Sequence, residues 1–120
     1  PIATVAAFRK GEEWRRQMLA YIEDNIRFVE DFCKANIPAI RPLRPQASFL
    51  IWLNCRDLNL SHDQLLDLFI DKAHLALNDG EMFGPGGEGF MRLNVAVPRS
   101  VLEQALLQLE EAVRGIRLTL

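Results

Sequence analysis

The chain has 120 residues, 49% of them hydrophobic and 25% charged, with a net charge of −2. That is enough apolar material for one globular domain with a core, and the charge balance gives no electrostatic ground for binding nucleic acid or an anionic membrane. The apolar runs are too short to span a bilayer, no signal peptide precedes Pro1, and the missing initiator methionine leads us to expect a processed, trimmed or cloned piece.

Residues 1–10 (PIATVAAFRK) are mildly helical but lack an amphipathic stripe long enough to stand alone, and Gly11 breaks the pattern. Glu12 and Glu13 then suit the positive end of a helix. Trp14, Met18, Ile22, Ile26, Val29 and Cys33 recur at the helical period, widened by Tyr21, Phe28 and Phe32. This helix is predicted to end at Ala35 or Asn36, because Pro38 stops it. Pro42 and Pro45 limit residues 39–44 to an edge strand. Residues 49–53 (FLIWL), apolar throughout, read as a strand covered on both faces. Ser61 and Gln64 have the spacing of a capping box, opening a helix whose buried face is Leu65, Leu66, Phe69, Ile70 and Ala73. Residues 75–77 read as a short strand.

Between Asp79 and Gly89 the composition disfavours any regular element, since Gly80, Gly84, Gly86, Gly87 and Gly89 cost backbone entropy and Pro85 removes a donor. From Phe90 the pattern alternates strictly. Met91, Leu93, Val95 and Val97 form a core face, and Phe90, Arg92, Asn94 and Ala96 point the other way. Ser100 and Glu103 suggest a second capping box, before a helix with Val101, Leu102, Ala105, Leu106, Leu109 and Val113 as its stripe. Gly115 is its expected stop, leaving IRLTL as an edge strand or disordered tail. The fold class is therefore α+β: a small mixed or antiparallel sheet of three to four strands with helices mainly on one face.

Few of these residues form a chemical pattern. Residues 84–89 (GPGGEG) formally match GxGxxG, but a dinucleotide site requires a helix next and here a strand follows. A glycine-rich surface turn and a loop shaped to pack against a second domain or a ligand both remain open. His62, in a first helical turn, is expected to be solvated, and His74 ends a helix, where the dipole favours its protonated form. Neither has neighbours at metal-ligand spacing, so no metal site is expected. Cys33 and Cys55 lack CxxC spacing and read as buried free thiols in a reducing cytoplasm. The acid pairs Glu12/Glu13, Asp63/Asp67 and Glu110/Glu111 read as solvated helix faces, and Trp14 and Trp52 as core or interface residues. Arg92 is the exception. A cation inside an apolar strand needs a partner. That partner is either an acid of this chain or, captured in bidentate fashion, the carboxylate or phosphate of a substrate.

The stretch LALNDGEMFGPGGEGFMRLNVAVPRSVLEQAL resembles the C-terminal segment of pyridoxal-phosphate enzymes of the aspartate aminotransferase fold. The likeness is to their cystathionine β-lyase (MalY/PatB-type C–S lyase) branch. There a glycine loop with LNDG and MFG leads into a strand bearing R-L-N, then P-R-S and the last helix. AAFRKGEEWRRQMLAYIEDN is similar to the long helix that crosses from the large to the small domain. PQASFLIWLNCRDL is similar to a small-domain strand, although Ala47-Ser48-Phe49 stands where members often carry Gly-Thr-Tyr. The resemblance implies that residues 1–10 are the end of a large domain or an interdomain segment and residues 11–120 a C-terminal small domain.

By the same resemblance, Arg92 binds the α-carboxylate of an amino-acid substrate such as cystathionine or a cysteine-like compound. The parent reaction is then β-elimination giving pyruvate, ammonia and a thiol. The lysine, acid and phosphate anchor that hold pyridoxal phosphate belong to the missing large domain, so no catalytic or cofactor-binding residue is expected in this piece, which should be inactive alone. A cytoplasmic homodimer is implied. Two alternatives stand beside this reading: the small domain of a class I/II aminotransferase, and a non-catalytic α+β module that binds an amino acid or mediates dimerisation. A small domain parted from its large one should leave Trp14, Met82, Phe83 and Phe90 bare, and such patches favour association.

Overall fold

A computed structural model describes residues 2–44, 49–75 and 82–119. The chain opens with a 35-residue helix, α1 (Ile2–Asn36), followed by strands β1 (Arg41–Leu43) and β2 (Leu50–Asn54). A 3-10 turn (Arg56–Leu58) leads to the short helix α2 (His62–Asp67), which widens into a π segment over Leu68–Lys72. Strands β3 (Phe83–Pro85) and β4 (Phe90–Asn94) come next, and α3 (Arg99–Thr119) closes the described chain. The four strands form one antiparallel sheet in the order β1-β2-β4-β3.

The helices lie on one face of this sheet, as the alternation in β4 requires. Met91, Leu93 and Val95 from β4 and its continuation, Ile51 and Leu53 from β2, and Phe83 from β3 are buried with Ile26, Val29 and Cys33 of α1. Leu65, Leu68 and Phe69, and Leu102, Leu106 and Leu109 of α3, complete the core. The capping box at Ser61 forms as its spacing predicts: Ser61 Oγ accepts from the Gln64 N–H at 3.2 Å, and Gln64 Oε1 accepts from the Ser61 N–H at 2.9 Å. Cys33 and Cys55 are free and buried, and burial pushes both thiols up to about 12.

Several elements depart from the expectations, each for a physical reason. Gly11 does not break α1. A glycine costs a helix interior only about 1 kcal/mol relative to alanine, and no proline lies between Ile2 and Asn36 to stop the ladder. The glycine stretch does hold a strand: Phe83–Pro85 pairs with Leu93, Arg92 and Met91, and only the hairpin tip, with positive φ at Gly87 and Gly89, uses the freedom of glycine. The strand expected at residues 75–77 falls largely outside the described residues, and Leu75 itself is in no strand.

Ile70 faces solvent because the π segment inserts a residue into the turn and rotates the buried stripe onto Leu68, Phe69 and Ala73. α3 begins at Arg99, so Ser100 lies inside its first turn and Val101 is exposed. The Arg99 N–H instead donates to Tyr21 Oη at 2.6 Å. At the other end the tail continues α3 to Thr119, past Gly115, rather than forming a strand. Glu110 is buried and held by Arg114 at 2.9 Å, where a solvated face was expected.

Candidate functional site

The sheet has an open face. FLIWL is covered on one side only: within β2, Ile51 and Leu53 are buried, whereas Trp52 between them is 39% exposed. Register builds a row across this face. Leu43 of β1 pairs with Trp52 of β2, Trp52 with Arg92 of β4, and Arg92 with Gly84 of β3. Arg92 is exposed, and among the described residues no ion pair or hydrogen bond holds its guanidinium. The desolvation that seemed to demand an internal acid is therefore absent within this chain, since the guanidinium stands on the open face rather than in the core.

The glycines around it explain its pose. A Cβ on Gly84 would lie 3.0 Å from Nη2 of Arg92 and 3.6 Å from its Nε. Gly84 is itself buried although it sits on the open face, consistent with the guanidinium lying over it. A Cβ on Gly86 would overlap Cζ3 and Cε3 of Trp52 and stand 3.3 Å from Cγ of Arg92. Trp52 belongs to β2 and Gly86 follows β3, so the indole must reach over β4 to touch it. On the way it passes beside the Arg92 stem. The hairpin is held shut by hydrogen bonds from the Gly86 N–H to Phe90 O and from the Phe90 N–H to Gly87 O, both 3.0 Å.

Of the four side chains expected to be bare, Trp14 is, at 62% exposure. Phe83 is not: it is buried on the core face against Phe69, with ring centroids 5.5 Å apart. Met82 is half-buried, and Phe90 is half-buried beneath the Arg56 guanidinium at 4.9 Å. His62 is half-buried rather than solvated, its Nδ1 without a partner, and His74 follows Ala73, the C-cap of the π segment, with φ 56°. Neither comes near Arg92 in the strand register. Residues 47 and 48, where the family pattern departs, lie outside the described residues.

Trp52 was the neighbour that composition did not reveal. Its signal was available: in two antiparallel strands with matched apolar faces, an outward Trp and an outward Arg fall opposite one another once the register is known. Gly84 and Gly86, two apart, likewise share one face. A groove of about 420 Å³ lined by Lys72, His74, Gln108 and Glu111 lies on the helical side and shares no residue with this row.

The three lysines, Lys10, Lys34 and Lys72, are all exposed on helical segments, none in the row that holds Arg92. What the site offers is a fixed cation on an open, partly apolar face, suited to binding and orienting an anion.

No family model matches the chain. It is 36% identical over 92% of its length to cystathionine beta-lyase PatB of Bacillus subtilis, covering 28% of that protein. It is 34% identical over 96% of its length to protein MalY of Escherichia coli, covering 30% of it. Its fold matches cystalysin from Treponema denticola, which contains a pyridoxal 5′-phosphate cofactor, with a TM-score of 0.80 at 28% identity; 91% of this chain and 28% of that one are covered. The chain thus spans about three tenths of the length of the relatives it matches. In sequence its relatives are cystathionine β-lyases and in fold its neighbours are pyridoxal-phosphate-containing lyases and aminotransferases, each matched over a small part of its length.

Proposed function

We propose that this chain is the small domain of a pyridoxal-phosphate-dependent C–S β-lyase and that Arg92 binds the α-carboxylate of its amino-acid substrate. The observation that carries the reading is the Arg92 guanidinium, exposed on the open sheet face with no acidic partner among the described residues. A planar, permanently charged fork in that position matches a carboxylate with two parallel hydrogen bonds. When bound by the rest of such a protein, the cofactor supplies the electron sink for the chemistry. This chain supplies binding and orientation: Arg92 fixes one end of the substrate so that the bonds at Cα and Cβ are presented in a constant direction. In this reading the groups that hold the cofactor belong to the larger part, and turnover by this piece alone is not expected. Residues 1–10 then form the crossing into the large domain, and the whole protein is a cytoplasmic homodimer.

The relative named cystathionine β-lyase at 36% identity favours β-elimination over transamination. In the full-length protein, Arg92→Ala removes one side of a charged pair, a change that costs about 2–5 kcal/mol. At about 1.4 kcal/mol per factor of ten, kcat/KM for cystathionine falls at least about tenfold. The loss should be confined to substrates with a free α-carboxylate, so the corresponding α-amide is the control. Pyruvate and thiol release are followed together with keto-acid-dependent transamination. An Arg92→Ala protein that treats acid and amide as the wild type does would refute the assignment, and transamination without thiol release would make the parent an aminotransferase.

A further inference from the structure

Arg92 carries four rotatable side-chain bonds and, among the described residues, has no hydrogen bond to fix it. Such a side chain normally samples many rotamers, and an anion that binds it must then overcome the entropy of ordering it. Here two contacts restrict it without any polar partner. The indole of Trp52 crosses β4 to the Gly86 backbone and lies beside the stem, where a Cβ on Gly86 would meet both the ring and Cγ of Arg92. The head lies over Gly84, where a Cβ would stand 3.0 Å from Nη2. The first contact limits the swing of the arginine towards the hairpin tip. At the second, a side chain on position 84 would crowd the guanidinium and push it aside.

We propose that Trp52 is a positioning residue for Arg92, and that Gly84 and Gly86 are glycine because the guanidinium and the indole occupy the space of their side chains. The inference rests on the reading of Arg92 as the carboxylate anchor. Trp52 does not contact the substrate in this scheme. It acts through the arginine, so that its loss matters only while the arginine is present.

That dependence is the test, made in the full-length protein with cystathionine and its α-amide as the two substrates. Trp52→Ala is expected to lower kcat/KM for the acid about tenfold and to leave the amide within about twofold, with no further loss when added to Arg92→Ala. Trp52→Phe keeps a ring over the stem and should recover most of the activity. Gly86→Ala reaches the same result from the other side, by driving the indole off its seat, and covers the case in which Trp52→Ala fails to fold. Equal losses on acid and amide, or effects of Trp52→Ala and Arg92→Ala that add, would make Trp52 a structural residue and overturn the proposal while leaving Arg92 as the anchor. If Arg92→Ala itself does not separate acid from amide, the anchor reading falls and the proposal with it.

Discussion

Asn25 has no apolar side chain, yet it is fully buried in the core of α1. Its Nδ2 donates to the Val95 carbonyl at 2.8 Å and to the Val97 carbonyl at 3.0 Å, while its Oδ1 accepts from Arg99 Nε at 2.7 Å. The Arg99 guanidinium is further seated over the Phe28 ring at 4.7 Å. Strand β4 ends at Asn94 although the Val95 N–H still donates to the Phe49 carbonyl at 2.8 Å, because the Val95 and Val97 carbonyls are turned to Asn25 of α1. Replacing Asn25 by Leu keeps the volume but strands two carbonyls and a guanidinium nitrogen. We expect a loss of about 3 kcal/mol, read as a lower urea midpoint at unchanged slope. A loss below about 1 kcal/mol would mean that water replaces the bonds.

Asn25 also shows where reading the sequence ran out at this scale. A polar residue between Asp24 and Ile26 looks like any helix surface position, and its partner lies 70 residues away. Arg92 was legible because an alternating strand advertises the face of each residue. Asn25 was not, because nothing in a helix's period says which of its polar groups will meet a distant strand end.

At the scale of elements, the edge strand β1 was foreseen from its prolines, but what fastens it to α1 was not. Arg44, just past β1, donates from Nη1 to Glu23 at 2.7 Å, and from Nη2 and Nε to the two oxygens of Glu30 at 2.8 and 3.1 Å. Glu23 and Glu30 stand two helical turns apart on one face, a spacing that could have flagged the clamp. The hydrogen bond from Arg44 holds the Glu23 carboxyl below its ordinary value, helped by the Arg44 and Arg27 charges and opposed by slight desolvation. A carboxyl with a depressed folded-state pKa contributes stability above its unfolded value, and that contribution disappears as pH falls through the folded value.

β1 should therefore fray in acid before the rest of the sheet. The amides of Arg41 and Leu43 are expected to lose hydrogen-exchange protection as the pH drops below the usual carboxylate range. In Arg44→Gln, protection should be low at neutral pH and nearly independent of pH. Equal acid fraying in both proteins would assign the effect to other carboxylates. The consequence reaches the site, because Leu43 is the β1 neighbour of Trp52.

Over the whole molecule, the α+β class, the one-sided packing and the presence of three helices followed from period, although the start of α1 and both ends of α3 did not. Nor did the two-sided burial inferred for FLIWL. A continuous apolar run says that both faces avoid water in the finished protein, not that this chain covers both. The same distinction applies to α1. Its core stripe of Ile22, Ile26, Val29 and Cys33 continues outward through Met18 and Trp14, which are 41% and 62% exposed, and Leu19 is 55% exposed. The radius of gyration is 17.0 Å, against roughly 14 Å for a compact chain of this length, because the sheet and α3 cover only the C-terminal half of the helix.

Two apolar surfaces thus lie bare, one along α1 around Trp14, Met18 and Leu19 and one on the open sheet face around Leu43 and Trp52. Apolar patches of this kind are rarely left to water. In isolation the 120-residue chain should therefore self-associate with rising concentration, with Trp14→Glu plus Leu19→Glu weakening that association while leaving the far-ultraviolet circular dichroism unchanged. Light scattering across a dilution series separates the outcomes. A monomer at every concentration would mean that these side chains are tolerated in solvent. Association that survives the α1 substitutions but is lost with Leu43→Lys would instead locate it on the sheet, the face that carries Arg92.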